Sequence, residues 1–457
     1  AIKRQRMVVK KHSSFARTLV HLSLLSYSRQ IGRTEKPPRV RLSIFLIYLM
    51  ALGNFPLPLR HAPINSKSPA MGPEPVVFMS YFLPEEPKMP APKAHDWIMD
   101  LKAYVPGRAH AHGVKEPVKL SANESAFGPS PKVVDAIKAA AGGVMRYPDP
   151  ASAELRHAIA DVHGLKADNI ICGAGSDEGL TLLIHTYAGP GDEVIFSQYG
   201  FMVYPIQTQA AGATGVAVPN KNWAADVDGM LAAVTERTKI VIIDNPNNPT
   251  GAYLPWSEIE RLHAGLPDHV LLILDAAYAE CVTASDYEAG EALVEAANNV
   301  VMTRTFSKMY ALAGLRVGWL YAPDAIVDAL NRWRMPFNVC VSGQVAALAA
   351  VKDQKHLDAA VRHNNEWRDW MTASLSALGL EVVPSETNFI LVQFPDESPF
   401  TALECNDYLT QNGYLVRALP SLPKHLRISV GTDGQCRAVT ALITAFMNGS
   451  PSDGEGS

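Results

Sequence analysis

The sequence predicts an α/β protein in which a large, doubly wound and mostly parallel sheet is followed by a smaller α+β domain. Short segments that are apolar throughout alternate with segments of helical periodicity, which is typical of parallel strands covered by helices on both faces. Polar and turn-forming residues come directly after the apolar segments. Strands of the large sheet are predicted at residues 169–171, 193–197, 239–244, 270–274 and 300–305.

The last third of the chain has a different pattern. A long helical run is predicted from residue 345 to 378, and two shorter strands follow at 388–392 and 426–430. A last helix is predicted at 439–447. Helices followed by separate strands indicate an α+β unit rather than a continuation of the parallel sheet.

A chain of 457 residues has room for more than one domain. We expect residues 93–145 to form an N-terminal arm with part of the small domain. The large domain that binds the cofactor is expected at 146–335, and the rest of the small domain at 336–449. The polar residues 450–457 are expected to be a disordered tail. Residues 1–92 are expected to be a basic, proline-interrupted extension that is disordered or non-native.

The N-terminal extension is strongly basic. Residues 1–60 contain twelve Lys and Arg and one acid, Glu35, whereas the rest of the chain has 29 basic and 44 acidic residues. A basic segment of this kind can bind nucleic acid, target a protein to an organelle or be foreign upstream sequence. We expect translation to begin at Met71, Met79 or Met89, ahead of the alternative that the first forty residues are an organellar transit peptide.

Neither a membrane nor a nucleic-acid partner is expected. The apolar run at 42–52 is shorter than the roughly 20 residues that span a bilayer, and prolines follow it. A DNA-binding module needs paired amphipathic helices, which residues 1–92 lack. The five cysteines are scattered without metal-ligand spacing, so we expect no metal site, reduced thiols and a cytoplasmic location.

Candidate functional residues follow successive predicted strands, at the edge of an open α/β sheet where ligands bind. After the strand at 169–171, Gly175, Ser176 and Asp177 open a helix. Free backbone N–H groups and the helix dipole favour an anion such as a phosphate there, although such turns also occur as simple helix caps. After the strand at 239–244 comes NPNNPTG, a rigid turn that either is only structural or presents Asn248 as a hydrogen-bond donor.

The next strand ends at Asp275, and Tyr278 lies three residues further on. An acid that ends a buried strand must be paired or hydrogen-bonded. A pyridinium nitrogen is a suitable partner, and capping of the following helix is the alternative.

The strand at 300–305 leads to Lys308. Burial disfavours a lysine cation, so a lysine here either extends to solvent or acts as a neutral amine. Thr305, Ser307 and Arg316 provide two hydroxyls and a guanidinium that can hold a phosphate beside the amine. Pyridoxal 5'-phosphate (PLP) requires both features, because it forms a Schiff base with lysine and carries a phosphate.

Three segments, NPNNPTG, LDAAYAE and TFSKMYALAGLRVGW, together resemble the fold-type I PLP-dependent aminotransferases. Within them the chain is similar to the histidinol-phosphate aminotransferase family, which LSANE, GPSP, RYPD and LRISVG also match. The resemblance covers residues 93–448. It implies the fold of that superfamily and PLP as the cofactor.

The resemblance implies a role for each candidate residue. Lys308 would form the Schiff base and then move the proton from the substrate carbon, and Asp275 would pair with the pyridine nitrogen. Asn248 and Tyr278 would hydrogen-bond the phenolic oxygen, and Phe201 would stack on the ring. The residues expected to hold the phosphate are Gly175, Ser176, Asp177, Thr305, Ser307 and Arg316.

The resemblance also implies partners. Tyr147, in RYPD, resembles the tyrosine that reaches the phosphate bound by the neighbouring subunit, so a homodimer with shared active sites is expected. The substrates would be amino acids and keto acids. Arg427 would bind a substrate carboxylate, with Arg417 as a weaker candidate for that pocket or for a substrate phosphate. Asn123 is also expected in the substrate site.

The N-terminal arm departs from the family pattern. Phe127 stands where the family has a tyrosine whose hydroxyl would help to hold a substrate phosphate. This departure leaves the transamination mechanism untouched but argues against histidinol phosphate as the substrate. Transamination between histidinol phosphate and 2-oxoglutarate by a ping-pong mechanism, a step of histidine biosynthesis, is the first prediction because of the family resemblance. An aromatic amino acid aminotransferase is the alternative, and a lyase resembling threonine-phosphate decarboxylase is a weaker third.

Overall fold

In the computed structural model, residues 92–102 and 115–449 are described. The predicted tail and nearly all of the predicted extension lie outside these residues. The strands are β1 (Val118–Lys119), β2 (Ile170–Gly173), β3 (Glu193–Ser197), β4 (Thr214–Val218), β5 (Thr238–Asp244), β6 (Leu271–Asp275), β7 (Val300–Thr305), β8 (Gly318–Tyr321), β9 (Glu381–Val383), β10 (Phe389–Gln393), β11 (Tyr414–Leu415), β12 (Arg417–Leu419) and β13 (Leu422–Ser429).

Helices flank these strands along most of the described chain. They are α1 (Asp96–Met99), α2 (Pro131–Ala140), α3 (Ala153–His163), α4 (Ser176–Tyr187), α5 (Val203–Ala210), α6 (Val227–Ala232), α7 (Trp256–Gly265), α8 (Glu291–Ala296), α9 (Asp324–Asn331), α10 (Val341–Lys352), α11 (Gln354–Ser376), α12 (Ala402–Gln411) and α13 (Asp433–Met447). Among residues 92–102 and 115–449, none of these helices is long and apolar enough to cross a membrane.

The large sheet has the strand order β2-β8-β7-β6-β5-β3-β4. Strands β3 to β7 are parallel to their neighbours, whereas β8 is antiparallel to both β7 and β2. Every residue of β3, β6 and β7 is buried, which explains why each contains successive apolar residues (194–196, 271–274 and 300–302) rather than alternating ones. The predicted α/β fold with a mostly parallel sheet is confirmed.

Alternate residues of the central strands pack into different cores on the two faces of the sheet. Val241 and Leu272 belong to one core, and Ile240 and Ile273 belong to the other. Because successive side chains of a strand point to opposite faces, helices on both sides are needed to bury them. The carboxyl ends of β5, β6 and β7 therefore stay in register at one edge, where Asp244, Asp275 and Thr303 are successive partners.

A second sheet, β12-β13-β10-β9, is antiparallel throughout. Its own core contains Ile390, Val392, Leu426 and Ile428 together with Met371 of α11. A short parallel pair joins β1 to β11. Residues before the large sheet thus pair with residues after it, as expected for an arm that contributes to the small domain. The domain boundaries themselves stay a prediction.

The prediction of one helical run from 345 to 378 is wrong. Helix α10 ends at Lys352 and α11 begins at Gln354, because Asp353 has φ −100° and ψ 62°, outside the helical region. The Asp353 carboxylate accepts hydrogen bonds from Ser130 Oγ at 2.5 Å and Lys132 Nζ at 2.8 Å. These bonds to the start of α2 come from far along the chain, so the local periodicity did not reveal the break.

Candidate active site

The start of α4 forms a cradle of backbone N–H groups at the end of β2, a geometry that suits an anion. Its N-cap is Gly175, which has φ +86° and supplies no side chain to cap the first turn. A Cβ atom on this glycine would lie 2.5 Å from Arg316 Nη2, so both the backbone conformation and the close approach of the guanidinium require glycine. The backbone N–H groups of Ser176 and Asp177 open the helix beside that guanidinium.

Arg316 joins the cradle to the turn after β7. Its Nη2 lies 2.9 Å from Asp177 Oδ2, and its Nη1 donates to Ser307 Oγ at 3.3 Å. The Ser307 backbone N–H donates to Thr305 Oγ1 at 3.1 Å. The structure thus brings together the six residues predicted to hold a phosphate: a helix start, two hydroxyls and a guanidinium.

The antiparallel strand β8 makes this convergence possible. Gly318, its first residue, packs so closely on the start of α4 that a Cβ atom would overlap the Ser176 backbone nitrogen. Because β8 lies between β2 and β7, it sets the distance from the cradle to the end of β7. This strand was not predicted, since four residues beginning with glycine give little strand signal.

Asp275 ends β6 and is 3% exposed. Its Oδ2 accepts a hydrogen bond from the Tyr204 hydroxyl at 2.8 Å, and its Oδ1 accepts one from Thr303 Oγ1 at 3.1 Å. Burial nevertheless raises the pKa of Asp275 to about 6. Both of its side-chain partners are neutral hydroxyl groups, so the negative charge of an ionised Asp275 would be available to a bound cation.

Lys308 lies in the turn after β7 and is half-buried, with Nζ 5.5 Å from the centre of the Tyr278 ring. Burial and the positive charge of Arg427 lower the pKa of Lys308 to about 8, with Arg316 acting in the same direction and Asp177 opposing it. The side chain is therefore a base that is partly neutral near physiological pH, as a nucleophilic amine requires.

Tyr278 is held by the N-terminal arm. Its hydroxyl oxygen accepts a hydrogen bond from Asn123 Nδ2 at 2.9 Å. Asn123, with φ 57°, is fixed in turn by Ser429 Oγ, which accepts from its backbone N–H at 2.9 Å, and by Asn388 Nδ2, which donates to its carbonyl oxygen at 2.8 Å. With one lone pair occupied by Asn123, the tyrosine hydroxyl is oriented to donate its own proton to a ligand.

Arg427 of β13 crosses from the small sheet to the NPNNPTG turn. Its Nη1 donates to Asn248 Oδ1 at 2.5 Å, its Nη2 donates to the Ser121 carbonyl oxygen at 2.9 Å, and its guanidinium lies 5.2 Å from the centre of the Phe389 ring. The bond to Oδ1 fixes the orientation of the Asn248 amide and makes Nδ2 the end that can donate elsewhere.

The remaining predicted residues lie further out. Phe201 makes an edge contact with Tyr204 at 5.9 Å between ring centres, and Arg417 is opposite Arg427 in the β12–β13 ladder. Phe127 is 43% exposed and its ring centre lies 5.2 Å from that of His356.

Tyr147 is 81% exposed and stacks on Phe337, with 4.4 Å between ring centres. Its ring is thus on the surface of this chain, where another chain can reach it. The roles of Tyr147, Phe201, Phe127 and Arg417 stay predictions.

Several residues that hold the predicted ones in place were not themselves predicted. Tyr204 and Thr303 bind Asp275, Ser429 binds Asn123, and Asp244 binds the turn that contains Asn248. Thr303 and Asp244 do carry a local signal, because each directly follows a run of apolar residues in a buried strand, where a polar side chain needs a partner. Tyr204 and Ser429 carry none, since their partners lie far along the chain.

Comparison with known proteins identifies the class. The family model for aminotransferases of class I and II matches residues 115–443. A solved histidinol-phosphate aminotransferase from Sinorhizobium meliloti, in complex with pyridoxal-5'-phosphate, superposes with a TM-score of 0.73 and 30% identity over 79% of this chain and 98% of that one. An aspartate aminotransferase from Thermus thermophilus with maleate shares the fold, with a TM-score of 0.63 and 24% identity over 72% of this chain and 92% of that one.

A histidinol-phosphate aminotransferase from Rhodopseudomonas palustris (strain HaA2) is 50% identical over 361 residues, which are 78% of this chain and 98% of the relative. Another from strain BisB18 is 48% identical over 362 residues, which are 79% of this chain and 99% of the relative. The chain belongs to the class I and II aminotransferases and, within them, to the histidinol-phosphate aminotransferase family.

Proposed function

We propose that the protein is a PLP-dependent aminotransferase that exchanges the amino group between histidinol phosphate and 2-oxoglutarate in a ping-pong reaction. One observation carries this proposal. Lys308, a partly neutral amine, lies in the same site as the Ser307–Arg316 group at the start of α4 and the buried carboxylate of Asp275. The identity of 50% with the Rhodopseudomonas palustris relative over nearly its whole length supports the substrate.

The residues present fit PLP at both ends. The start of α4, Ser307 and Arg316 would hold its phosphate, since they offer backbone donors, a hydroxyl and a cation at one place. Asp275 would hold its ring nitrogen, because a carboxylate that burial keeps from ionising freely gains most from a cation beside it. When bound, PLP supplies an electron sink for the charge that develops at the substrate carbon.

Side chains of the protein would transfer the proton and orient the substrate. Lys308 Nζ would accept the proton from the substrate carbon and return it, for which a pKa near the working pH is suited. Asn248 Nδ2 and the Tyr278 hydroxyl would donate hydrogen bonds to the phenolic oxygen. Arg427 would bind the substrate carboxylate, since its planar guanidinium suits two-point recognition.

The test is a donor and acceptor screen on purified protein loaded with PLP. We expect turnover of histidinol phosphate with 2-oxoglutarate, and Lys308→Ala should abolish both turnover and the visible absorbance of the bound cofactor. Lys424→Ala, which changes an exposed lysine paired with Asp396, is the matched control and should change neither. Turnover of phenylalanine or tyrosine but not of histidinol phosphate would overturn the substrate proposal in favour of an aromatic aminotransferase. Loss of carbon dioxide from threonine phosphate would favour the lyase.

We also propose a homodimer with shared active sites and a cytoplasmic location. An exposed apolar patch supports the dimer: Val144, Met145, Tyr147, Trp333, Met335 and Phe337. Val144, Tyr147 and Phe337 line one surface cavity. Exposed apolar side chains grouped in this way are typical of a protein–protein interface, and a second copy of the chain would cover them. Tyr147→Ala should weaken PLP binding and leave the protein dimeric, whereas Met335→Glu should yield monomers in equilibrium sedimentation. A monomeric wild type would refute the shared site.

A further inference from the structure

Asp244 is a buried acid to which the proposed mechanism assigns no role. It is the last residue of β5 and the register partner of Asp275 on β6, and it is 6% exposed. Neighbouring strands are about 4.8 Å apart, and register partners point to the same face of the sheet. Two buried carboxyl groups therefore lie side by side at the edge where the cofactor would bind.

Both oxygens of Asp244 hold the NPNNPTG turn. Oδ1 accepts a hydrogen bond from Asn247 Nδ2 and Oδ2 accepts one from the Asn248 backbone N–H, each at 3.0 Å. Asn247 in turn holds Thr250, whose Oγ1 donates a hydrogen bond to Asn247 Oδ1 at 2.7 Å. The position of Asn248, whose side chain also binds Arg427, is thus set by Asp244.

The charges around Asp244 oppose its ionisation. It faces Asp275 on β6 and Tyr204 on α5, and the charge of Asp177 at the start of α4 acts on Asp275 in turn. Burial and repulsion by Asp275 raise the pKa of Asp244 to about 7, against the hydrogen bonds from Asn248 and Asn247. In the part of the chain that the structure describes, no Lys or Arg side chain pairs with Asp244. Two adjacent buried carboxylates without a cation do not both ionise readily.

We propose that Asp244 is a positioning residue of the cofactor site, which fixes the Asn248 turn, and that the two neighbouring carboxyl groups of Asp244 and Asp275 carry one proton between them that leaves when a cation binds beside Asp275. This proposal rests on the proposed function for the identity of that cation, the ring nitrogen of PLP. The O–H bond of the protonated carboxyl group breaks, the electron pair stays on the carboxylate and the proton goes to solvent. The two ionised carboxylates would then lie beside the ring nitrogen and favour its protonated, positively charged form.

The experiment measures protons rather than turnover. PLP is titrated calorimetrically into cofactor-free wild type and into Asp244→Asn at pH 7, in two buffers of different ionisation enthalpy. A group with a pKa of about 7 is half-protonated at that pH, so the wild type should release about half a proton per chain more than the variant. Glu193→Gln is the matched control, because Glu193 is equally buried but lies at the opposite end of β3 and is bonded to Thr235. It should release the same number of protons as the wild type.

Potentiometric titration of the cofactor-free proteins tests the shared proton without PLP. Between pH 9 and pH 5 the wild type should take up about one proton per chain more than Asp244→Asn. Equal uptake, or equal release in the calorimeter, would overturn the proposal. A wild type that binds no PLP would overturn the proposed function while the potentiometric comparison still decides the shared proton. Should Asp244→Asn melt far below Glu193→Gln, Asp244→Ser replaces it, since a serine hydroxyl can still accept from the Asn248 N–H.

Discussion

Replacing Arg427 by glutamine should raise the pKa of Lys308, because the Arg427 charge is the main factor after burial that lowers it. A lysine with a pKa of about 8 is about 9% neutral at pH 7, whereas one at the ordinary 10.5 is about 0.03% neutral. The site thus increases the neutral amine by nearly 300-fold relative to an exposed lysine, on the order of 3 kcal/mol. Arg427→Gln should forfeit part of this increase, together with the hydrogen bonds to Asn248 and the Ser121 carbonyl.

The assay is competitive acetylation of the cofactor-free protein at a series of pH values, followed by mass spectrometry of the peptide that contains Lys308. Wild-type labelling should be half-maximal near pH 8, and Arg427→Gln should move that midpoint upward. Arg261→Gln is the control, because Arg261 is an exposed arginine paired with Asp228 and Glu258 on another part of the surface. A wild-type midpoint near 10.5, or equal midpoints in wild type and Arg427→Gln, would refute the reasoning.

Three further outcomes are expected. Gly175→Ala should weaken PLP binding at least tenfold and lower stability by about 1–3 kcal/mol through strain at positive φ. Gly314 has open space around it, so Gly314→Ala should change neither PLP affinity nor stability. A fluorescence titration measures the affinity, and melting curves measure the stability. Tyr204→Phe removes a hydrogen bond that lowers the pKa of Asp275, so the acid-side loss of PLP affinity should move to higher pH. Because the folded pKa of Asp275 is raised, its ionisation lowers the stability of the folded protein. This loss of stability is absent below about pH 4 and complete above about pH 6. Asp275→Asn should therefore gain melting temperature relative to the cofactor-free wild type as the pH rises from 4 to 7, and a constant difference would contradict the assignment.

The large sheet could be predicted because its signal is local. Strands β3 and β7 have the predicted bounds, since each contains an uninterrupted apolar run and is followed by a turn. The family prediction is confirmed for a related reason: the segments around Asn248, Asp275 and Lys308 are contiguous, so one sequence suffices to read them. The prediction of PLP agrees with the Sinorhizobium meliloti structure, which contains it.

What the sequence did not reveal depends on contacts between distant residues. Strand β8 is short and begins with a glycine whose reason is the α4 backbone, and the break at Asp353 depends on α2. The support of Asp275 by Tyr204 spans 71 positions, and that of Tyr278 by Asn123 spans 155. A pattern read along the chain indicates which residues carry the chemistry, but their supporting contacts are determined only when strands and helices are placed in space.

Arg427 shows how such a distant contact can link substrate binding to chemistry. It comes from the small sheet, yet it binds Asn248 of the large-domain turn and lowers the pKa of Lys308. A substrate carboxylate that pairs with Arg427 would neutralise part of this positive field. The pKa of Lys308 would then rise, which makes Nζ a stronger proton acceptor at the moment when a substrate proton is in reach. The same guanidinium would therefore favour a neutral amine in the cofactor-free site and a stronger base once a substrate carboxylate is bound to it.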